Sequence, residues 1–497
     1  MMEAVLRDSR YVHNGWKILD GVACLLMIPF QHVISLTISS FVFTCHDKQS
    51  IIQRIVRYLL VCPLMILLSL VLLPFGTIGY VIWMLINALA DVQPFVYACP
   101  LGEMQSGRKK FSNKITVCSS NVCICPEYIV RINNQRSVYW RSGEIGKRLL
   151  NQDSSLNKQN LSPKVSRENV ILTELPDVDV IMLQEVLERI FGYQMYRLLR
   201  DKYPYCLYDV GCHTFLGNHG GLEISPMKKK MVWWMPRSDA PSKKRFVYSI
   251  KISNKESSVS PIFVCKWLWP FCKFGHIDSK DLGLVVKNGK ELHAVGYFAD
   301  MHAQAFQGKD KVVAHQLQEA EKLVKRFIED TTVEDELVVC TVLGGDFNCD
   351  NMSPGDEATQ NSPIWDQYED PCRERAGEDK PWTIGTEHRQ PKMNHPFVQD
   401  SHEFRRILLD DVQRRYFILD ADVQEQTMEL MTCGPKPDSN GNVTATKWGG
   451  RRRIDHLLCH KESLLSPTGF WFSTVIAGLT DHIPVVLMLE LTKEHYD

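Results

Sequence analysis

The sequence has almost no excess of charge of either sign. Its 497 residues contain 57 Lys and Arg against 58 Asp and Glu, which gives a formal net charge of -1. Capture of nucleic acid by general electrostatic attraction needs a strongly basic face. The balance therefore argues against a broadly basic nucleic-acid-binding protein, and we expect no nucleic-acid partner.

The chain also lacks zinc-type cysteine spacing, although it contains 16 cysteines. Structural zinc sites combine two closely spaced pairs of ligands, whereas Cys123 and Cys125 are one residue apart and have no matching second pair. Several cysteines lie within or beside apolar segments: Cys118, Cys123, Cys125, Cys265 and Cys272. We therefore expect buried free thiols in a reducing compartment.

Two apolar segments, at about 21–43 and 58–90, set residues 1–110 apart as a membrane-associated region. A run of about 20 apolar residues spans the bilayer core, and no cleavage site typical of a signal peptide is evident. The second segment contains helix-breaking residues, namely Pro63, Pro74, Gly76 and Gly79. It is predicted to be a broken or hairpin-like membrane element; the alternatives are a single tilted span and a buried helical pair of a soluble protein.

Basic residues flank both apolar segments on every side. They are Arg7, Arg10 and Lys17 before the first, Lys48, Arg54 and Arg57 between them, and Arg108, Lys109 and Lys110 after the second. The positive-inside rule places all three flanks on the cytosolic side, which re-entrant or interfacial hairpins satisfy and two full spans do not. We expect the following domain on the cytosolic side of an organelle or plasma membrane that the sequence does not specify. The same residues could bind anionic lipid headgroups.

Residues 111–497 have the pattern of one soluble domain. Apolar runs predict strands at 114–125, 180–183, 246–252, 262–269, 291–298, 338–342 and 485–491, and amphipathic spacing predicts helices at 187–203 and 314–328. The polar stretches 136–169 and 361–400 are predicted to be inserted loops, with a short helix at 146–150 in the first. The irregular alternation of strands and helices indicates an α/β sandwich.

Three predicted strands end in residues that can carry chemistry. The residues are Glu185 after 180–183, Asp346 and Asn348 after 337–343, and Asp481-His482 after 472–479. Carboxylate oxygens suit a hard cation such as Mg²⁺, an Asn amide can donate to a phosphoryl oxygen, and a neutral imidazole can activate water near pH 7. Convergence of these strand ends would equip the protein for metal-assisted cleavage of a phosphodiester.

Each of these residues alone also has an ordinary interpretation. Glu185 could be a charge at a helix start, Asp346 could close an Asx turn, and His482 could be a packed or surface residue. Further candidates make the ordered set more specific: Asn121 at the end of the preceding strand, His302 after the strand at 291–298, and Asp455, which could fix the tautomer of His482.

The order of these residues resembles the exonuclease–endonuclease–phosphatase superfamily, the fold of pancreatic deoxyribonuclease, and within it the membrane-anchored neutral sphingomyelinases of animals. The closer resemblance rests on Gly345-Asp346-Phe347-Asn348-Cys349-Asp350-Asn351, Asp370-Pro371-Cys372-Arg373, Gly377-Glu378-Asp379-Lys380-Pro381-Trp382-Thr383-Ile384-Gly385-Thr386 and Gly450-Arg451-Arg452-Arg453-Ile454-Asp455. It implies a four-layered α/β sandwich that hydrolyses sphingomyelin to ceramide and phosphocholine, requires Mg²⁺ and is activated by anionic phospholipids.

The resemblance also implies roles for individual residues. Glu185 would bind Mg²⁺ with Asn121 nearby, and Asp481 is a further metal candidate. His482 would be the general base oriented by Asp455. The substrate phosphate and the attacking water would be placed by Asp346, Asn348 and His302.

One stretch departs from the family pattern. Asn218-His219-Gly220-Gly221-Leu222 keeps the Asn and the glycine step, but lacks the serine that the family usually has, and the arginine further on is also absent. Asn218 remains a substrate-binding candidate. The departure keeps two alternatives open: a phospholipase C acting on lysophospholipids or other choline lipids, and a phosphoinositide phosphatase. A third alternative of a different class is a catalytically silent membrane scaffold, against which Glu185, Asp346 and His482 speak. An oligomer is also left open.

Overall fold

The computed structural model describes residues 11, 13–90, 96–98, 114–158, 166–203, 206–208, 232–236, 246–249, 262–268, 293–305, 311–332, 334, 336–424 and 427–491. The predicted substrate residue Asn218 and the cysteine Cys272 lie outside these ranges. Within them, the cysteines whose side chains are described are free thiols and most are buried. The expectation of buried free thiols is therefore confirmed for the described part of the chain.

The N-terminal region is helical. Its elements are α1 (Asn14–Ser39), α2 (Cys45–Gln49), α3 (Ile51–Val56), a π-helical turn (Arg57–Val61) and α4 (Cys62–Leu89). The prediction that the second apolar segment is broken or hairpin-like is wrong, because 51–89 forms one continuous apolar helix of 39 residues. Pro63 directly follows the π-helical turn, in which the backbone N–H of Cys62 donates to the carbonyl oxygen of Arg57, and it does not interrupt the helix.

The glycines of α4 serve close packing rather than a break. A Cβ atom on Gly76 would lie 2.4 Å from a ring carbon of Phe30, and one on Gly79 would lie 2.8 Å from the carbonyl oxygen of Ala23. These contacts show that α4 runs antiparallel to α1, and small residues are typical of such close helix contacts in membranes. Both helices are long and apolar enough to cross a membrane, which indicates a membrane-associated region.

The turn between these two helices docks on α5 (Glu127–Ile132) of the following domain. Buried Asp47 accepts hydrogen bonds from Arg57, at 3.0 and 3.1 Å, and from Arg131 of α5. Burial raises the pKa of the Asp47 carboxyl, but hydrogen bonds from Thr44 and Arg57 and the charge of Arg131 lower it more, so the net pKa is below its ordinary value. The carboxylate is thus the ionic centre of this contact.

We expect Asp47→Asn to loosen the docked turn, because the two guanidinium groups lose their anionic partner. Hydrogen bonds to charged groups contribute about 1.5–3 kcal/mol, so hydrogen exchange at the amides of residues 41–47 should accelerate by about tenfold or more. Exchange measured by mass spectrometry on the detergent-solubilised protein tests this. Glu319→Gln is the control, since Glu319 forms an exposed ion pair with Lys322. Equal exchange in Asp47→Asn and wild type would contradict the assignment.

The larger sheet of the described chain contains the strands β1 (Val96–Ala98), β2 (Lys114–Ile124), β4 (Ile171–Leu172), β6 (Val180–Val186), β7 (Cys206–Tyr208), β8 (Val232–Pro236), β17 (Leu465–Ser473) and β18 (Val485–Leu491). Their order across the sheet is β1-β7-β8-β6-β2-β18-β17-β4. The central strands β2 and β6 are parallel, and β18 pairs antiparallel with β2. Parallel pairing brings the ends of β2 and β6 to the same edge.

The smaller sheet of the described chain contains the strands β9 (Phe246–Ser249), β10 (Ile262–Leu268), β11 (His293–His302), β12 (Glu336–Asp346), β13 (Tyr368–Glu369) and β16 (Asp455–His460). Their order across the sheet is β13-β16-β12-β11-β10-β9. β11 and β12 are parallel, and β16 runs antiparallel to β12. Two small ladders, β3 (Gln152–Asp153) with β5 (Leu175–Pro176) and β14 (Arg373–Arg375) with β15 (Glu378–Asp379), complete the described strands.

The two sheets pack face to face with helices outside them. Phe298 of β11 lies in the main core with the strands of the larger sheet, while Tyr297 and Ala299 pack on the opposite face with α9 (Val312–Thr331). On the outer side of the larger sheet lie α6 (Val138–Leu149) and α8 (Arg189–Leu199). Alternation along β11 thus confirms the predicted four-layered α/β sandwich.

The remaining helices are short. They are α7 (Arg167–Val170), α10 (Glu357–Gln360), α11 (Ile364–Gln367), α12 (Pro396–Gln399), α13 (Ser401–Leu409), α14 (Asp411–Phe417) and α15 (Met428–Thr432). The predicted loop 136–169 is wrong in its first half, where α6 presents Ile145 and Leu149 to the core. The segment 361–400 contains only elements of two to four residues, as expected for a loop, but much of it is buried. The division at residue 110 stays a prediction.

Candidate active site

Four strand ends bring polar side chains to one edge of the sandwich. Asn121 and Glu185 lie at the ends of parallel β2 and β6, and His302 and Asp346 end parallel β11 and β12. Because the two sheets face one another, these ends meet across the sandwich. The Nδ2 atom of Asn121 donates to Oδ2 of Asp346 at 2.9 Å, which joins the sheets directly at the site.

His302 lies between the two predicted carboxylates. Its Nε2 atom is 3.1 Å from Oδ2 of Asp346 and 3.5 Å from Oε1 of Glu185. The side chain of Glu185 is 16% exposed, whereas those of His302 and Asp346 are almost completely buried. Glu185 is therefore the member of this group that solvent reaches.

An Asp–His pair adjoins this group. Asp455 lies opposite Asp346 in the β12–β16 register, and its Oδ2 atom is 2.9 Å from Nδ1 of His482. The other ring nitrogen of His482, Nε2, is 3.8 Å from Oδ2 of Asp346. The hydroxyl of Thr386 accepts the backbone N–H of Asp455, which fixes the start of β16.

The charges around His482 strongly favour its protonated form. Burial lowers the pKa of the imidazole, but the carboxylates of Asp455 and Asp346 raise it more, so the net pKa is well above its ordinary value. Burial has the opposite effect on the carboxyl of Asp455, whose pKa it raises. The protonated ring carries an N–H on each nitrogen, with Nδ1 facing Asp455 and Nε2 facing Asp346.

Asp346 in the Asp346-Phe347-Asn348 turn has both predicted roles: it closes an Asx turn, and it presents a carboxylate oxygen to the site. Oδ1 of Asp346 accepts the backbone N–H of Asn348 at 2.9 Å, which is an Asx turn, and Oδ2 faces Asn121 and His302. The preceding Gly345 has a φ of +129°, and a Cβ atom there would lie 1.9 Å from the carbonyl oxygen of Met301. Glycine thus allows β11 and β12 to approach closely where they deliver His302 and Asp346.

Asp481 stands apart from the His302 group. Its Oδ2 atom accepts from Nδ2 of Asn133 at 3.2 Å, and the same Nδ2 lies 3.6 Å from Sγ of Cys123. The structure thus brings Glu185, His302, Asp346, Asp455 and His482 into one connected group, with Asn121 and Asn348 bonded to it. Asp481 lies on the neighbouring cysteine side.

A second bond between the sheets was not predicted from the sequence. Gln184 donates through Nε2 to Oδ1 of Asp300 at 2.7 Å and to the hydroxyl of Ser119. Burial and the nearby charge of Asp346 raise the pKa of Asp300 well above its ordinary value. Gln184 directly precedes Glu185, and Asp300 lies two positions before His302. A polar side chain so close to a predicted site residue is the signal in the sequence that could have found both.

Arginines behind the site form a buried ionic network that the sequence analysis did not assign. Arg452 pairs with Asp350 at 2.6 Å and Glu387 at 2.7 Å. Arg453 pairs with Asp370 at 2.8 Å and Asp379 at 3.0 Å. These pairs anchor segment 361–400 to the start of β16, and therefore to Asp455.

The residues present fit a divalent cation. Asp346, Asp455 and His482 each offer a ligand atom, and these atoms lie within 4.8 Å of one another. Glu185 adds a partly exposed carboxylate beside His302. A donor set dominated by carboxylate oxygens suits a hard cation of the Mg²⁺ or Mn²⁺ type.

A sandwich of two mixed sheets brings an Asp–His pair and clustered carboxylates to one edge, an arrangement whose chemistry suits metal-assisted hydrolysis of a phosphodiester. The chain is 26% identical over 505 residues to sphingomyelin phosphodiesterase 5 of Danio rerio, covering 85% of this chain and 86% of that protein. It is 28% identical over 329 residues to sphingomyelin phosphodiesterase 3 of Mus musculus, covering 63% of this chain but 45% of that protein. The chain is similar in sequence to both of these sphingomyelin phosphodiesterases. No family model matches it.

Solved structures of similar shape include truncated TDP2 of Caenorhabditis elegans, at 13% identity and a TM-score of 0.37, covering 76% of this chain and 98% of that one. Beta toxin of Staphylococcus aureus is also 13% identical, with a TM-score of 0.34, covering 75% of this chain and 99% of that chain.

Proposed function

We propose that this protein is a sphingomyelin phosphodiesterase that uses Mg²⁺ and releases ceramide and phosphocholine. The observation that carries the proposal is the connected group from Glu185 through His302 and Asp346 to His482, in a chain homologous over 85% of its length to a sphingomyelin phosphodiesterase. The membrane-associated helices support a lipid substrate, because they hold the hydrolase where lipid headgroups are concentrated.

Glu185 is the proposed Mg²⁺ ligand, with Asn121 beside it and Asp481 as a further candidate. The bound cation would supply positive charge that stabilises the phosphoryl oxygens and offsets the carboxylates that hold the proton on His482. The exposed side chain of Glu185 supports this role, because the cation must stay accessible to substrate.

His482 is the proposed general base. Its Nε2 atom takes a proton from water, and the water oxygen attacks phosphorus as the bond from phosphorus to the ceramide oxygen breaks. The ceramide oxygen takes a proton from solvent, and the imidazolium of His482 returns its proton to solvent. Asp455, 2.9 Å from Nδ1, keeps the ring oriented and stabilises the imidazolium that forms. Asp346 lies 3.8 Å from Nε2, a separation that suits holding the attacking water.

Phosphate positioning is assigned to Asn348 and His302. The Nδ2 atom of Asn348 is 3.0 Å from the carbonyl oxygen of Ala303, so its amide is held beside the end of β11. His302 and Asn348 can both donate to phosphoryl oxygens. We also propose substrate contact by Asn218.

The catalytic domain is proposed to lie on the cytosolic side of its membrane. The turn that contains Asp47 contacts α5, so this turn and the catalytic domain lie on the same side; two full spans would separate them. Free thiols in the described chain support a reducing compartment. The basic flanks support anionic phospholipids as activators.

We expect chelation of divalent cations to abolish hydrolysis and added Mg²⁺ to restore it. Glu185→Gln should lower kcat by about 10²-fold or more at the Mg²⁺ concentration that saturates wild type, since a carbonyl binds the cation more weakly than a carboxylate. Ceramide release from sphingomyelin in mixed micelles, titrated with Mg²⁺ after EDTA treatment, measures both effects. Glu144→Gln, on the outer helix α6, is the matched control. An unchanged rate of ceramide release after EDTA treatment would contradict the metal assignment.

The substrate is tested with a lipid panel, each lipid assayed with and without phosphatidylserine. Sphingomyelin should be cleaved faster than lysophosphatidylcholine and phosphoinositides, and phosphatidylserine should raise the rate. Preference for a lysophospholipid or a phosphoinositide would replace the substrate but keep the mechanism. Failure to hydrolyse every lipid with Mg²⁺ present would favour a membrane scaffold.

A further inference from the structure

A bulge lies where β2 leaves its pairing with β6. The register passes from Asn121 opposite Gln184 directly to Ile124 opposite Val186, so Val122 and Cys123 share the partner position of Glu185. Bulges re-aim side chains and are frequent beside active sites. This one has a chemical consequence, because it turns two thiols toward the end of β6.

Two of the bulge residues have backbone angles that non-glycine residues rarely adopt. Cys123 has a φ of +48° and Glu185 a φ of +59°. Such conformations cost about 1–3 kcal/mol each and persist where the surroundings enforce them, often at functional sites. Here they direct both side chains into one small cluster.

The cluster has the dimensions of a cation site. The Sγ atoms of Cys123 and Cys125 and a carboxylate oxygen of Glu185 all lie within 4.8 Å of one another, and Sγ of Cys125 is 3.3 Å from Oε2 of Glu185. Both cysteines are buried, whereas Glu185 reaches solvent. An ion can therefore enter from the active-site side.

Asp481 supplies an independent observation. It is buried, and its Oδ1 atom has no hydrogen-bond partner among the described residues. Its other oxygen and Sγ of Cys123 both face the amide of Asn133, so Asp481 lies next to the cluster without belonging to it. A buried carboxylate oxygen without a donor is costly unless a cation or proton satisfies it.

We propose a second cation site, overlapping the proposed Mg²⁺ position at Glu185, that takes a thiophilic divalent ion such as Zn²⁺ and is lined by Cys123, Cys125 and Glu185. Two thiolates and one carboxylate, with a fourth position open to water, suit tetrahedral Zn²⁺ and discriminate against Mg²⁺, which prefers oxygen ligands. Binding releases the two thiol protons to solvent.

The site shares Glu185 with the proposed Mg²⁺ position, and this part rests on the proposed function. A Zn²⁺ ion held by the two thiolates withdraws Glu185 from Mg²⁺. Zn²⁺ is therefore an inhibitor whose potency falls as Mg²⁺ rises. Binding itself does not depend on hydrolysis, so it can be measured separately.

The binding test is an optical titration of the detergent-solubilised full-length protein with CdCl₂, followed through the ultraviolet thiolate-to-cadmium charge-transfer band, with ZnCl₂ as competitor. Loss of ligating residues weakens metal binding by about 100-fold or more, so the variant Cys123→Ser/Cys125→Ser should lose the tight component of this band. Cys433→Ser, at a half-buried cysteine remote in sequence, should retain it. A band of equal size and affinity in the double variant would overturn the proposal.

Protection from alkylation gives a second measurement that survives a folding defect in the double variant. In wild-type protein, Zn²⁺ should slow iodoacetamide labelling of Cys123 and Cys125, mapped by mass spectrometry, without slowing labelling of Cys433. The single variant Cys125→Ser should lose protection at Cys123. If Cys123 and Cys125 are labelled at the same rate with and without Zn²⁺, the proposal is overturned. If the Cd²⁺ band is intact but added Mg²⁺ does not relieve inhibition of hydrolysis by Zn²⁺, the cation site stands and only the proposal that it shares Glu185 with Mg²⁺ is overturned.

Discussion

His482→Ala should lower kcat for sphingomyelin by about 10⁴-fold with little change in KM, because general base catalysis contributes up to about that factor. The substitution removes Nε2, which faces Asp346, and Nδ1, which pairs with Asp455. Steady-state ceramide release at saturating Mg²⁺ measures the effect. A melting temperature close to that of wild type would show that lost chemistry, rather than unfolding, causes it.

Two variants make the His482 result specific. Asp455→Asn keeps the size of the side chain but removes the charge that stabilises imidazolium, and we expect a loss of about 10³-fold in kcat. His402→Ala alters an exposed histidine on α13 and should leave kcat unchanged. Activity of His482→Ala within tenfold of wild type would remove His482 from the mechanism.

Arg453→Met should produce the largest loss of stability. Arg453 is completely buried and bonds to Asp370, Asp379 and Nδ1 of His456. Burial raises the pKa of Asp370, but Arg453 and His456 lower it more, so the charge of Asp370 depends on this guanidinium. Removal of one partner from a buried ionic group costs about 3–5 kcal/mol, a large share of a typical folding free energy of about 5–15 kcal/mol.

Thermal unfolding with and without Mg²⁺ measures this loss, and two further variants assign its cause. Arg375→Met removes an arginine that is 76% exposed in the adjacent ladder and should change stability by less than about 1 kcal/mol. Adding Asp370→Asn to Arg453→Met should recover part of the loss, because one uncompensated charge disappears. A melting temperature of Arg453→Met equal to wild type would contradict this account of the network.

The part of the site that sequence reasoning could reach consists of residues at strand ends. Glu185 and Asp346 each follow an apolar run that forms a strand, and parallel pairing within each sheet makes such ends converge. The predicted strand at 472–479 is wrong, because β17 ends at Ser473 and His482 lies in the loop before β18. The pairing of Asp455 with His482 depends on the β12–β16 register, which no local pattern encodes. The chemistry of a carboxylate that fixes an imidazole tautomer suggested this pairing, and the resemblance implied the same role for Asp455.

Errors arose where local composition and tertiary role diverge. Helix α6 contains Gly143 and Gly146 and several polar residues, so it was interpreted as loop, yet the glycines allow close contact with Gln194 and Leu198 of α8. Gly76 and Gly79 of α4 were interpreted as breaks for the same reason, although they permit contact with α1. A glycine that ends a helix and a glycine that packs one look alike in a single sequence.

The two hydrogen bonds that cross the sandwich, Asn121 to Asp346 and Gln184 to Asp300, link alignment of the sheets to chemistry. A core substitution that slides one sheet by half an ångström need not unfold the protein, yet it would stretch both bonds and part Glu185 from its neighbours. Catalytic turnover is then a finer gauge of interior repacking than the melting temperature. Selection for activity alone would keep the interior well ordered far from any reacting atom.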